Sequence, residues 1–408
     1  MKDIIFVSQV LEYPPTGGPQ LRIDNTIKVL KRLTNIHLFN RDRSLNPNEY
    51  MRSSNYYKKN SYNYVDLIKL HSKSKNQKVK KLQIKVSLLF FNIFAMKHAL
   101  IITRYARKKR INLIWVGFGN LSFGLILFIK ILYPQCKVIY DTDSVWSRYI
   151  LREIPYAKFQ RKLFLYLTGN LKRFEEFLLT NLCDITTAVS SVDAQYYEKL
   201  IHNKAKIKVF SNVIDLNSYQ INLPESKIES KKHAIFLAGS FGHINSPMDK
   251  AAKWMIEEVL PLILKKLKNV KLYLIGRNAD RSFRNHLHNK NISIEGKVDS
   301  VLPYLMHSNV SVVPLKFESG TRFKILEAAA CNIPVVSTSL GAEGLKLSHN
   351  KEIIISDTPQ QFADSIVDII LNKDKADYIS ANCRKIIEKY YSLNYLEIEA
   401  KNILNSIK

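Results

Sequence analysis

The sequence predicts an α/β protein built from two Rossmann-like domains that face each other across a cleft. Three observations carry that expectation. At 408 residues the chain exceeds what one hydrophobic core usually supports, so two domains are the starting expectation. Short apolar runs of strand length alternate with helical patterns along most of it, which is the mark of parallel sheets covered on both faces. The same alternation then restarts after a stretch of turn formers at 216–232, "LNSYQINLPESKIESKK". The expected division is a first domain over 1–215, a linker over 216–232 and a second domain from 233 to about 390.

The elements follow in order. "DIIFVSQV" reads as a buried first strand, "LEYPPTGGPQL" as a loop and "RIDNTIKVLKRLTN" as a helix. Strands "IHLFN", "INLIWVG" and "KVIYD" come next, then a helix-rich stretch over 144–181 and short strands in "CDITTAVS" and "IKVFSNVID". The second domain opens with strand "HAIFLAGS", loop "FGHINSP" and helix "MDKAAKWMIEEVLPLILKKL". Strands "VKLYLIG", "ISIEGKV", "VSVVPL", "IPVVST" and "EIIIS" are interleaved with helices "VLPYLMHS", "TRFKILEAAACN" and "PQQFADSIVDIILN". The last stretch, from "YISANCRK" onward, reads as helical throughout. The most apolar segment, 113–133, carries Asn120, Ser122, three glycines and Lys130, so strand, tight loop and helix fit it better than a membrane span.

Bulk chemistry narrows the partners. The four cysteines, Cys136, Cys183, Cys331 and Cys383, are far apart and form no CxxC pair, which argues against a zinc site and fits a reducing, cytoplasmic compartment. The N-terminus lacks the pattern of a signal peptide. The formal charge is +27, and residues 51–110 hold sixteen Lys and Arg against one acid, Asp66. Inside that span a lysine-rich tract precedes the apolar "VSLLFFNIFAM". That combination points to an anionic membrane surface, which attracts each nearby basic residue by about 1 kcal/mol. No RNA-binding signature or zinc-finger spacing supports nucleic acid as a partner.

Ligands of open α/β sheets sit beyond the carboxyl ends of the strands, so the strand-end loops hold the candidates. Gly17 and Gly18 follow the first strand, and Gly239, Gly242 and Asn245 follow the first strand of the second domain. Neither loop matches GxGxxG or a P-loop, yet each opens a helix whose amides suit an anion such as a diphosphate. A third loop, Ser319–Gly320–Thr321, leads into the helix carrying Arg322, Lys324 and Glu327. Cations in a first helical turn oppose the helix dipole, and an anionic ligand would supply a reason for them. Glu327 reads either as a salt-bridge partner of those cations or as a carboxylate for two sugar hydroxyls. Ala328–Ala330 read as close packing against the sheet. Asp141 and Asp143, after "KVIY", read as helix-capping residues or as a proton acceptor for a hydroxyl group.

The segment "SGTRFKILEAAACNIPVVST", with "GSFG", "LIGR" and "ISIEGKV" before it, resembles the group 1 glycosyltransferases, also called glycosyltransferase family 4. The resemblance covers about 236–400 and is looser through "PPTGGPQLR", "YDTDS" and "SNVID". It implies the GT-B fold, with a C-terminal helix, 391–408, crossing back to the first domain. It further implies transfer of a sugar from a nucleotide-diphospho-sugar, with retention and without a required metal or other cofactor. Glu327 would then bind the donor ribose, while Ser319, Gly320, Thr321, Gly239 and Asn245 would line the donor site. Arg322 and Lys324 would neutralise the diphosphate, and the Gly17–Gly18 loop would close over it. The family often has two glutamates with seven residues between them; Ser319 stands at the first of these positions, and Glu318 falls one residue early. The acceptor implied is a glycan or a lipid-linked glycan at the inner face of the cell membrane, reached through the basic 58–110 region. Two rival readings stay open. One is a non-catalytic sugar-nucleotide-binding module of the same fold, and the other is a sugar-nucleotide epimerase, which the "GTRFKILEA" form opposes.

Overall fold

A computed structural model describes residues 2–41, 45–60, 62–67, 95–219, 225–229, 232–242 and 246–407. Asn245, most of the lysine-rich tract and parts of the 216–232 stretch lie outside the described residues. The chain separates into two compact units. The first comprises Met1–Ser147, Gly169–Asn212 and Leu396–Lys408; the second comprises Arg148–Thr168 and Val213–Tyr395.

The first unit is built on a seven-stranded parallel sheet. Its strands are β1 (Lys2–Ser8), β2 (Thr34–Asn40), β3 (Asn63–Asp66), β4 (Leu113–Gly117), β5 (Lys137–Asp141), β6 (Ile185–Ala188) and β7 (Ile207–Val209), in the order β3-β2-β1-β4-β5-β6-β7. β4, "LIWVG", is buried along its whole length, as a central strand covered on both faces must be. The segment 113–133 forms β4, a short turn and the helix Phe123–Leu132, as its interrupted apolar pattern predicts. Among the described residues no helix is long and apolar enough to cross a membrane.

The second unit repeats the plan with β8 (His233–Ala238), β9 (Val270–Ile275), β10 (Ile292–Gly296), β11 (Val310–Val313), β12 (Val335–Ser337) and β13 (Ile354–Ile355), ordered β10-β9-β8-β11-β12-β13. All pairings are parallel. In each sheet the strand order reverses once, between β1 and β4 and between β8 and β11. The β8–β9 ladder runs from His233 to Ala238, whereas the β8–β11 ladder ends at Phe236 and Ser311. The strands therefore part at their carboxyl ends, where a doubly wound sheet opens a crevice for a ligand. Both sheets are of the Rossmann type expected from the sequence.

Three local departures have physical causes. The long helix after β8 contains a π-helical stretch, Met255–Val259, that ends two residues before Pro261, whose ring excludes regular α-helical bonding there. The C-terminal segment is two helices, Lys373–Tyr390 and Leu393–Asn405, broken at Tyr391 and Ser392. Tyr391 O accepts the Ile214 N–H at 2.9 Å, so that carbonyl is used outside the helix. The second of these helices then packs within the first unit: Glu399 takes the Ser211 N–H at 2.7 Å, and Arg32 pairs with Glu397 at 3.2 Å. Thirdly, of the alanines expected against the sheet, Ala328 packs there. Ala329 and Ala330 instead meet Cys383, Ile387 and Tyr391 of the C-terminal segment.

At the carboxyl edge of the first sheet, Arg22 and Asp141 form a fully buried ion pair at 2.5 Å. Arg22 also donates to Phe210 O and Asn212 Oδ1, and Asp141 accepts from Trp115 Nε1 and Thr187 Oγ1. Asp141 is thus engaged on both oxygens in tying β4, β5 and β6 to the first helix. Removing one partner strands a buried charge, so Arg22→Ala is expected to lower unfolding stability by about 3–5 kcal/mol. Urea denaturation of the variant measures the loss; a change within about 0.5 kcal/mol, as at ordinary surface positions, would contradict it.

Candidate functional site

The loop that follows β11 is held by its own arginine. Gly320 adopts φ +80, a left-handed conformation that only glycine takes without strain. Arg322, 7% exposed, caps the helix Phe323–Ala330 with its backbone and turns its side chain back onto the loop. Its Nη1 donates to Ser319 O at 2.7 Å and also to Gly320 O. Ser319 and Thr321 are buried with it. The helix starts two residues later than the sequence pattern suggests. It has no side-chain cap and no acid in its first turn, so its leading amides are not taken by a capping side chain.

Lys324 and Glu327 lie one turn apart on that helix, partly exposed. Burial pulls the Lys324 ammonium below its ordinary range, with Glu318 and Glu327 acting against that shift. Burial likewise raises the Glu327 carboxyl, while a hydrogen bond from Tyr219 and the charge of Lys324 hold it down. Tyr219 Oη donates to Glu327 Oε1 at 3.0 Å. That tyrosine sits at the start of the 216–232 stretch, more than a hundred positions away, and nothing in the local sequence marks it.

A second anchor grips the same loop. Arg152 Nη1 donates to Glu318 O at 2.8 Å, and the guanidinium holds Glu343 in a fork at 2.7 Å through both nitrogens. Arg148 adds a third bond to Glu343 at 2.9 Å. Despite partial burial, these cations keep the Glu343 carboxyl below its ordinary range. Glu343 lies just after the Gly341 turn that follows β12, so two loops of the sheet edge are joined through one carboxylate. The Tyr156 ring stacks on Phe317 at 5.5 Å. Lys250 lies over both rings and donates to Tyr156 O.

The loop after β8 is built differently. The Gly239 amide bonds Ile275 O at 2.9 Å, and a Cβ there would meet Met248 Cε at 2.6 Å. Gly276, at φ +137, lies so close that a side chain would collide with Gly239 O. The helix beginning at Pro247 is capped by Ser246, and the Asp249 carboxylate takes the Gly242 amide at 3.1 Å. These donors are satisfied by neighbouring groups of the protein, Ile275 O and the Asp249 carboxylate. Gly17 and Gly18 resemble the β11 loop instead: Gly17 is the N-cap of helix Gly18–Leu33, with no side-chain cap and no acid in the first turn.

Asp143 lies in the first unit beyond β5. Its Oδ1 accepts the Trp146 indole N–H at 3.2 Å, and its own N–H donates to Asn120 Oδ1 at 3.3 Å. Burial raises its carboxyl to about 7, with the Arg22 charge and the indole bond opposing the shift. Among the described residues no group of three or more His, Cys, Asp or Glu is placed to hold a metal ion.

A carboxyl at about 7 binds its proton more tightly in the folded chain than in the unfolded one, where the ordinary value is about 3.9. Relative to Asp143→Asn, the native protein is therefore expected to lose stability as pH rises from about 4 to about 7, and to lose no more above that. Paired urea titrations at several pH values measure this difference, and a difference that does not change with pH would contradict it.

Comparison with known proteins agrees with this geometry. Residues 234–372, which include all but the first residue of β8, the strands β9 to β13 and Glu327, match the family described as Glycosyl transferases group 1. An uncharacterized 44.6 kDa protein in the cps region of Klebsiella pneumoniae is 27% identical over 164 residues, covering 38% of this chain and 40% of that relative's length. Over the whole chain, the structure is similar to the Anabaena protein Alr3699/HepE in complex with UDP. Its identity is 13%, all of both chains is covered and the TM-score is 0.66. It is also similar to sucrose-phosphate synthase from Thermosynechococcus elongatus, at 13% identity, 100% and 99% coverage and a TM-score of 0.72. At such identities the likeness concerns the fold, which is that of the GT-B glycosyltransferases. Within that fold, the segment 234–372, which carries Glu327, is similar to the group 1 glycosyltransferases.

Proposed function

We propose that the protein transfers a sugar from a nucleotide-diphospho-sugar to a glycan or lipid-linked acceptor, with retention, in the synthesis of a surface polysaccharide or glycoconjugate. The observation that carries this reading is Glu327 with Lys324, on the helix opening at the β8–β11 switch point, inside the segment that matches the family. A carboxylate there suits the two ribose hydroxyls, as acidic residues do in other doubly wound nucleotide sites. Lys324, partly stripped of water by burial, and the uncapped helix start suit the diphosphate. Arg322 acts one step back. Its bonds to Ser319 O and Gly320 O fix the loop, and its charge adds to the positive field that favours the departing diphosphate. Within the first unit, the uncapped start of the helix at Gly17 and Gly18 is by itself suited to an anion.

In the reaction the acceptor hydroxyl oxygen forms a bond to the anomeric carbon as the bond from that carbon to the diphosphate oxygen breaks. The nucleoside diphosphate leaves with the electron pair, and a phosphate oxygen takes the hydroxyl proton on the same face. The chain then positions and stabilises charge rather than supplying a base, and no metal is required by this route. In an inverting reaction, the alternative to this route, Asp143 with its carboxyl near neutrality would be the proton acceptor. Acting as a base, it would be needed ionised, so kcat/KM would rise with pH through about 7. The basic 58–110 region is suited to bring the enzyme to the anionic inner face of the cell membrane.

The Anabaena structure contains UDP, which makes UDP-sugars the first donors to test beside GDP- and ADP-sugars. A true donor at 100 times its Kd should stabilise the protein by about 2.7 kcal/mol in thermal unfolding, and should be hydrolysed or transferred. Glu327→Ala is expected to weaken its binding tenfold or more, about 1.4 kcal/mol. Binding without any turnover would favour the non-catalytic module, and the absence of stabilisation by any of the nucleotides would contradict the proposal.

A further inference from the structure

The helix Phe159–Leu182 carries apolar side chains on its outer side as well as on its packed side. Its packed side buries Leu165 and Leu179 together with Lys172, Glu176 and Thr180. Its outer side exposes Phe159 at 89%, Leu163 at 67% and Leu171 at 69%, with Phe164, Leu167 and Phe174 also exposed. At 100° per residue these six side chains share one face, and Lys162 and Arg173 border it on one side. The orientation is fixed by polar bonds that would be lost if the helix rolled. Lys172 Nζ donates to Asn120 O, outside the helix. Glu176 accepts the Ser147 N–H at 3.1 Å and the Ser147 hydroxyl at 2.5 Å. The apolar face is therefore held outward, and a contiguous outward apolar patch marks a docking surface.

We infer that this face docks on an anionic lipid bilayer, with the aromatic and leucine side chains in the interface and the bordering cations among the headgroups. Charge selects this occupant. The chain carries +27, and Lys158, Lys162 and Arg173 accompany the apolar face, so an anionic surface is complementary. A second copy would bring the same cations against themselves. The surface is separate from the lysine-rich tract of the 58–110 region, and the inference goes beyond the proposed transfer reaction without depending on it.

The test is co-sedimentation of the full chain with vesicles of phosphatidylcholine and phosphatidylglycerol at 7:3, and with phosphatidylcholine alone. Binding is expected to the anionic vesicles. It should fall at least tenfold in the double variant Leu163→Glu/Leu171→Glu and persist in Leu163→Met/Leu171→Met. Because both leucines are exposed, the variants should fold, and their stabilisation by UDP, measured alongside, should match that of the native chain. Equal vesicle binding by the Glu and Met variants would overturn the inference, as would failure of the native chain to bind. So would a dimer in sedimentation velocity that the Glu variant dissolves, which would assign the face to a second copy. Loss of the UDP response in the native chain would count against the transferase reading alone.

Discussion

A buried guanidinium folded onto its own loop is the interaction on which the candidate site depends. Arg322 closes the turn between β11 and the next helix by bonding the carbonyls of Ser319 and Gly320, which no regular ladder would satisfy there. With Gly320 in its left-handed conformation, that closure sets where the helix begins, and with it the place of Lys324 and Glu327. A cation held this deep needs compensation. The nearby Glu343 carboxylate, shared with Arg148 and Arg152, supplies negative charge, and its lowered pKa reflects all three arginines. Arg152 grips the loop again at Glu318 O. The loop is therefore fixed at several points before any ligand arrives, which is the preorganisation that electrostatic catalysis requires.

The treatment of helix starts separates the strand-end loops by role. After β8 the start is closed by Ser246 and Asp249, and Gly239 serves the close approach of two loops rather than offering its amide. After β1 and after β11 the helices begin without a side-chain cap or an acid in the first turn. Leaving a cap out typically costs about 1 kcal/mol, which makes an uncapped start at a strand's carboxyl end a place where an anion contributes to stability. Two of the three glycine-bearing loops have that property, and one of those two lies in the family segment beside Glu327.

Much of the fold was legible because parallel strands buried on both faces are written as apolar runs. "LIWVG", "KVIYD", "HAIFLA" and "VSVV" could hardly be anything else. β3, "NYVD", is a polar edge strand only partly buried, and it carries no such signal. The break at Tyr391 and Ser392 is equally silent, since it arises where Tyr391 O accepts a hydrogen bond from the distant Ile214. Within the site, the motif around Glu327 was legible from its loop, its cations and its family likeness. The bonding of Arg322 was not, because a cation at a helix start reads as facing outward, whereas here the turn folds it onto its own carbonyls. Tyr219 and Arg152 reach the loop from remote segments, and only tertiary structure brings them there.

The central claim is that Glu327 reads the ribose of a nucleoside diphosphate. The most direct measurement is a cycle in which UDP and its 2′,3′-dideoxy analogue are titrated calorimetrically into the native chain and into Glu327→Gln. If the carboxylate holds the ribose hydroxyls, removing them weakens binding to the native chain tenfold or more, a loss of about 1.4 kcal/mol, and weakens binding to the variant far less. An equal loss in both proteins would mean that Glu327 and the ribose act independently, and would contradict the account.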